Sequence, residues 1–328
     1  MQEVAKRQSI ANMTEWVAEQ KADFVYAVFG NRLSLIPIYL HLMDSTKLPC
    51  VIHVVDDWIS KSYFGVFDPI FAKILNKKFE EILKKAAAVF VISDAMAEEY
   101  KSRYGIESYV FHNPVPSAKW DQVRYDDTAG DHVHRIVYFG TVEGYHEEGI
   151  ERLNIAIDIL HRRGIKAICE IYGNVRDSGA LDRFIKYQYV ECKGYIEYEK
   201  LPSLISGSDI LFLPLSFKSR MRKALRLSIP TKLTEYMLCP QPMIVFAPEQ
   251  LALTRYAKDK EIAYLVTKNS ANELADALIS LIQNKSLRTK ISKRAYEVAM
   301  AEHTTEVVCK RFRRIIEESV ASYHKIQG

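Results

Sequence analysis

In the second half of the chain, short apolar runs alternate with amphipathic stretches at a steady interval. The runs "RIVYFG" (135–140), "AICEIYG" (167–173), "YVECKGYI" (189–196), "DILFLPL" (209–215), "MIVFA" (243–247) and "AYLVT" (263–267) are rich in Val, Ile and aromatic residues. Their apolar positions are nearly continuous, as in strands buried on both faces. Between most of them lie segments with helical spacing. In 149–164, for example, Ile150, Leu153, Ile157 and Leu160 recur every three or four residues. Buried strands separated by helices predict a doubly wound parallel sheet of Rossmann-like type. Three further helices close the chain, the last at about 304–322.

The first half shows the same alternation over a shorter span. The pattern predicts a helix near 2–20, strand 23–30, a helix around 32–44 and strand 50–55. A helix near 69–86, strand 88–93, helix 94–104 and strand 108–113 follow. The polar segment 114–132 carries no periodicity and has the composition of an interdomain connection. The expected organisation is an α/β chain of two Rossmann-like doubly wound domains. Residues 1–115 form a partial N-terminal domain, 116–134 the linker, 135–303 the second domain, and 304–328 a helix returning toward the first.

Composition narrows the class without deciding the chemistry. At 328 residues the chain accommodates two cores. No apolar run approaches the roughly 18–20 residues that cross a bilayer, and no secretory signal is visible at the start. Five cysteines, scattered and never spaced C-x-x-C, fit a reduced cytoplasmic compartment and argue against a disulfide framework or zinc knuckle. The net charge of +4 means that attraction to anions must come from local clustering.

That clustering occurs once. Between Asp209 and Glu235 no acid intervenes, while Lys218, Arg220, Arg222, Lys223, Arg226 and Lys232 follow the "ILFLPL" strand. Open α/β sheets bind ligands at the carboxyl ends of their strands, where this basic loop emerges. Pro230 suits a first helical position, leaving the N–H groups of Thr231 and Lys232 free to meet an anion. Glu235 shares a helix face with Lys232. A diphosphate on the helix start, with a carboxylate one turn deeper for two ribose hydroxyls, would make a nucleotide site. A solvated basic loop with an ordinary Lys–Glu pair is the plainer reading of the same residues. Gly140, Gly144 and Gly149 in "YFGTVEGYHEEG" are not spaced as G-x-G-x-x-G, yet they permit close backbone approach. "IYGN" (171–174) and "KGYI" (193–196) put further glycines at strand ends.

With these residues in view, the chain resembles GT-B glycosyltransferases, in particular glycosyltransferase family 4. The resemblance rests on "RIVYFGTVEG", "EIYGN", "GYIEYEKLPSLISGSDILFLPL" and "SIPTKLTEYMLCPQPMIVF", and in the first half on "VIHVVDDW", "AAAVFVISDAMAEEYKSRYG" and "VFHNPV". It implies transfer of a sugar from a nucleotide diphosphate to a saccharide or lipid-linked acceptor, with retention, in cell-surface polysaccharide assembly. Apart from the nucleotide sugar as co-substrate it implies no cofactor and no metal. It assigns Glu235 to the donor ribose, Pro230, Thr231 and Lys232 to the diphosphate, and Tyr195 and Ile196 to the border of the base. Gly140 and Thr141 would face the phosphates or sugar, with Gly173 and Asn174 beside them on the same edge. In the first domain, His53, Asp56 and Asp57 end a strand facing the expected cleft, where His53 and Asp57 would orient the acceptor hydroxyl or contact the donor sugar. A satisfied core histidine and a helix-capping Asp57 is the plainer reading.

Three departures from the family pattern stand out. Leu227 replaces the first acid of E-x7-E, so that contact to the sugar is absent or replaced. Thr141 and Glu148 stand where the family carries Arg and Lys, leaving Arg220, Arg222 and Lys223 to neutralise the diphosphate. The resemblance also implies that the first part of the N-terminal domain is missing. These departures keep two alternatives open: a catalytically degenerate nucleotide-sugar-binding subunit, and a GT-B nucleotide-sugar epimerase. Contact of the basic loop, with Met221, Leu225 and Leu227, with the inner face of a membrane is a further expectation. Nucleic acid is not an expected partner, because the cations lack interleaved aromatics.

Overall fold

The computed structural model describes residues 12–30, 35–56, 69–120 and 132–327. The chain divides into two compact units, Met1–His112 with Cys309–Gly328, and Asn113–Val308.

The first unit is built on a parallel sheet in the order β1-β2-β3-β4, comprising Val25–Phe29, Cys50–Val54, Ala88–Val91 and Tyr109–Val110. Helix α1 (12–19) precedes it. Helices α2 (Ile36–Thr46), α3 (Pro69–Lys85) and α4 (Asp94–Tyr104) connect its strands. Strand pleating sends Tyr26 and Phe29, three residues apart, to opposite faces. On one face Phe29 meets Phe79 of α3, which in turn meets Tyr100 and Tyr104 of α4. On the other, Tyr26, Phe90 and Phe111 surround Phe312 at ring-centroid separations of 5.2–5.5 Å. Helix α4 starts where Ser93 Oγ accepts the Met96 N–H and stops at Gly105, whose φ of +68° suits a left-handed cap.

The second unit holds a six-stranded parallel sheet in the order β10-β9-β8-β5-β6-β7. In chain order these strands are β5 (His134–Phe139), β6 (Ala167–Tyr172), β7 (Val190–Gly194), β8 (Ile210–Pro214), β9 (Met243–Phe246) and β10 (Tyr264–Val266). Every one of the six apolar runs read from the sequence forms one of them. Although both faces are buried, alternation persists. Ile136 and Tyr138 enter one core cluster with Phe212 and Phe246, whereas Val137 and Phe139 enter the other with Leu211 and Val245. The first cluster is covered by α5 (Gly144–Arg162), α6 (Ser178–Phe184) and α11 (Ala271–Gln283). The predicted stripe Ile150, Leu153, Ile157 and Leu160 supplies the α5 contact. The second cluster lies under α7 (Leu201–Ser206), α9 (Lys232–Met237), α10 (Ala252–Lys260) and α12 (Lys285–Glu302). Helix α8 (Ser219–Leu225) precedes α9, and α13 (Thr305–Gln327) ends the chain.

Two segments differ from the sequence expectation. Residues 113–120, expected at the end of the first domain and in the linker, pack into the second unit. The Val115 N–H donates to His303 O and its carbonyl accepts from Thr305, while Trp120 is buried against Phe139. Burying an indole outweighs the polar composition around it. The basic stretch expected as a loop contains α8, because Arg, Met, Lys, Ala and Leu all favour a helix.

Candidate functional site

Strand β5 begins the second unit's chain path through the sheet, and later strands are added on either side of it. The point where the order reverses therefore lies between β5 and β8. Those strands pair only at Ile136↔Ile210 and Val137↔Leu211, and beyond that they separate. The gap at the carboxyl end is filled by Tyr236 of α9. Its buried hydroxyl accepts the Phe139 N–H at 3.1 Å and donates to Phe212 O at 3.4 Å. One phenol thus satisfies backbone from both diverging strands and seats α9 on the crevice.

The glycines expected at the strand ends form a continuous backbone edge here. The Gly140 N–H donates to Tyr172 O at 2.7 Å, and the Gly173 N–H to Gly194 O at 2.8 Å. Gly140 and Gly173 have φ of +114° and +148°, and a Cβ on Gly173 would sit 2.2 Å from Gly140 O. Only glycine fits such an approach. Beyond them Thr141 and Asn174 lie in adjoining loops, where the Val142 N–H donates to Asn174 O and the Arg176 N–H to Val142 O. Asn174 is exposed and Thr141 half-buried.

Lys232, the first residue of α9, lies directly over this edge. A Cβ on Gly140 would stand 1.9 Å from Lys232 Cε, and Lys232 Nζ lies 5.3 Å from the centre of the Tyr138 ring. Burial lowers the Lys232 pKa, against the opposing pull of Glu235 and Glu143. Burial likewise raises the pKa of Glu235, offset by a hydrogen bond from Tyr198 and by the Lys232 charge. A cation and a carboxylate are thus held half-buried within one turn of helix, and each destabilises its charged form less because the other is present. Glu143 also pairs with Arg176 at 3.0 Å. The Glu143 N–H donates to His146 Nδ1 at 3.0 Å, and burial with the nearby Lys232 keeps that ring neutral.

The structure brings Gly140, Lys232 and Glu235 to one place, with Gly173 bonded into the same edge. Pro230 and Thr231 immediately precede α9. The helix starts two residues later than expected, since Leu233 N–H bonds Pro230 O across a single tight turn. Arg220, Arg222 and Lys223 are exposed on α8. Tyr195 is 72% exposed, and Ile196 packs against the core. Leu227, at the position of the missing acid, is buried. Glu148 accepts from Ser216 Oγ and the Phe217 N–H, both at 2.8 Å, and so fastens the segment after β8 to α5.

In the first unit His53 occupies the penultimate position of β2, its ring against Tyr26 and Phe90. Nδ1 lies 2.6 Å from the Tyr26 hydroxyl, Nε2 is buried without a hydrogen bond, and burial pushes the pKa down to about 4. Asp57 lies outside the described residues. Sequence reasoning passed over Tyr236, Tyr198 and Glu143. Tyr236 and Tyr198 had a signal, since a phenol on or near an otherwise apolar helix must find a polar partner when buried.

Residues 133–284 match the family model of Glycosyl transferases group 1. Over 96% of its length the chain shares its fold with a solved GT-B glycosyltransferase, as the sequence resemblance implied. Anabaena HepE, solved in complex with UDP, is 13% identical, with a TM-score of 0.70 over 94% of this chain and 82% of that one. Sucrose-phosphate synthase from Thermosynechococcus elongatus is 14% identical, with a TM-score of 0.67 over 96% and 78%. The trehalose 6-phosphate synthase of Burkholderia multivorans is 12% identical, with a TM-score of 0.68 over 98% and 76%. No curated protein sequence matches the chain.

Proposed function

We propose, from the match of residues 133–284 to the family model of Glycosyl transferases group 1, that this protein transfers a sugar from a nucleotide diphosphate to a saccharide or lipid-linked acceptor. The observation that carries the reading is the meeting of Lys232, Glu235 and the Gly140 edge at the topological switch point. The UDP in HepE crystals supports a nucleotide diphosphate as the ligand class. The diphosphate lies along the Gly140 edge beside Lys232, and Glu235, oriented by Tyr198, takes the ribose hydroxyls.

In the reaction the bond from the anomeric carbon to the diphosphate breaks, the acceptor oxygen bonds to that carbon, and the acceptor's proton passes to the departing phosphate oxygen or to solvent. Negative charge grows on the departing phosphate, and the Lys232 ammonium opposes it in a half-buried setting where charges interact more strongly than in water. The exposed cations of α8 add a weaker, salt-sensitive attraction. Retention at the anomeric carbon, a role for His53 and Asp57 toward the acceptor, and work on cell-surface polysaccharide at the cytoplasmic membrane face complete the proposal. Among the described residues, no helix is long and apolar enough to cross a membrane.

The buried Leu227 favours a second reading, a nucleotide-sugar-binding subunit without turnover. Incubation with a panel of nucleotide sugars, with and without lipid-linked and oligosaccharide acceptors, separates the readings. Acceptor-dependent release of nucleoside diphosphate that disappears in Glu235→Ala supports transfer. Release without acceptor indicates an epimerase, and tight binding without any release indicates the non-catalytic subunit.

A further inference from the structure

The opposite, amino-terminal edge of the second unit's sheet gathers a different set of groups. His132 and His134 flank Val133 at the start of β5, where the two-residue repeat of extended chain sends both side chains to one side. Asp209 immediately precedes the neighbouring strand β8, and the backbone fixes its orientation. Its N–H donates to Arg135 O at 2.9 Å, and its Oδ2 accepts the Arg135 N–H at 2.8 Å. That leaves Oδ1 directed at the imidazoles, 3.0 Å from His132 Nε2 and 3.5 Å from His134 Nδ1. One donor atom from each of the three residues falls within 4.8 Å of the others, and all three side chains are half-buried.

His132 Nε2 stands at ordinary hydrogen-bond distance from Oδ1, whereas the buried His134 Nδ1 faces the same oxygen at 3.5 Å, the outer limit for such a bond, and has no other polar partner among the described residues. A tetrahedral ion with bonds of about 2.0–2.2 Å has ligand-to-ligand edges of about 3.3–3.6 Å. The two separations to Oδ1 lie close to that range, and the imidazole nitrogens, within 4.8 Å of each other, close onto an ion by side-chain rotation. The bond from Asp209 Oδ2 to the strand backbone is the kind of outer contact that orients a ligating carboxylate.

We propose that His132, His134 and Asp209 form a binding site for a borderline divalent transition cation of the Zn(II) class at the amino-terminal edge of this sheet. Two imidazoles select such ions over Mg(II) and Ca(II), which prefer all-oxygen shells. The ion ties the lead-in of β5 to the start of β8, at the sheet edge opposite the Lys232 site. Its role is to hold those two strand ends together, and it takes no part in donor binding or in the transfer chemistry.

The test is calorimetric titration of the chelator-treated full chain with ZnCl2 and, separately, MgCl2, repeated on His132→Ala and His134→Gln. One Zn(II) should bind per chain. Each variant should weaken that binding ~10-fold or more, since even outer-shell changes cost that much. Co(II) loading should give the visible ligand-field bands of a tetrahedral site, lost in His132→Ala. UDP binding by His132→Ala should match wild type, so failure here stays separate from failure of the proposed function. Should His134→Gln not fold, His132→Ala decides alone, because that residue lies ahead of the strand. Zn(II) affinity unchanged in His132→Ala, or Mg(II) binding as tightly as Zn(II), overturns the site.

Discussion

Gly140→Ala tests the contact between the glycine edge and Lys232 in isolation. The added Cβ would stand 1.9 Å from Lys232 Cε and 3.0 Å from both Cδ and Nζ. The obstacle is a flexible side chain, so the lysine swings away and the fold survives. The φ of +114° adds strain of about 1–3 kcal/mol for any L residue. Gly194→Ala supplies the control: its φ of +78° costs about 1–2 kcal/mol, and the new methyl group meets only open space. Both variants should therefore lose stability in urea unfolding, by comparable amounts. Only Gly140→Ala displaces the ammonium, and one charge-assisted hydrogen bond contributes about 1.5–3 kcal/mol. Its Kd for UDP, measured by titration calorimetry, should rise roughly 10- to 100-fold, with Gly194→Ala near wild type. Gly140→Ala binding UDP as tightly as wild type would refute the placement of the phosphates beside Lys232.

Tyr236→Phe removes the hydroxyl that joins β5 to β8, leaving the buried Phe139 N–H without its partner. It should cost about 1–3 kcal/mol in urea unfolding, and unchanged stability would show that the strands need no such bridge. Replacing Arg222 and Lys223 together with Ala should weaken UDP binding less than Lys232→Ala does, because both are exposed. That loss should vanish at about 1 M salt, where screening reaches within ~3 Å. The His53 pKa falls from 6.5 to about 4 on folding, so the unfolded chain binds the extra proton. Stability from this group is complete above pH 6.5 and is lost as pH falls toward 4, by about 3 kcal/mol in total. His53→Gln should flatten that part of the stability curve, and an unaltered slope would assign it to other groups.

The strands of the second unit were legible because doubly buried strands carry unbroken Val, Ile and aromatic runs, and all six stand where those runs lie. Gly140 and Gly173 were legible as strand-end glycines, and Lys232 with Glu235 as one helix face. What sequence order could not convey was contact across long separations. Tyr236 reaches Phe139, 97 residues earlier, and Tyr198 reaches Glu235. His132 and His134 likewise meet Asp209 only because β5 and β8 are neighbours. Trp120 was hidden by polar company, since a single buried indole leaves no period to read. Arg220, Arg222 and Lys223 take three of the seven positions of Ser219–Leu225, leaving too short an apolar pattern to read, so only the helix preference of its residues signals that helix.

The most direct measurement is a crystal structure of the full chain grown with a nucleoside diphosphate. The phosphates should lie over Gly140 beside the Lys232 ammonium, with both ribose hydroxyls hydrogen-bonded to the Glu235 carboxylate. Density for the nucleotide at any other edge of the second unit's sheet, or Glu235 still bonded to Tyr198 with no ligand near it, would contradict that placement.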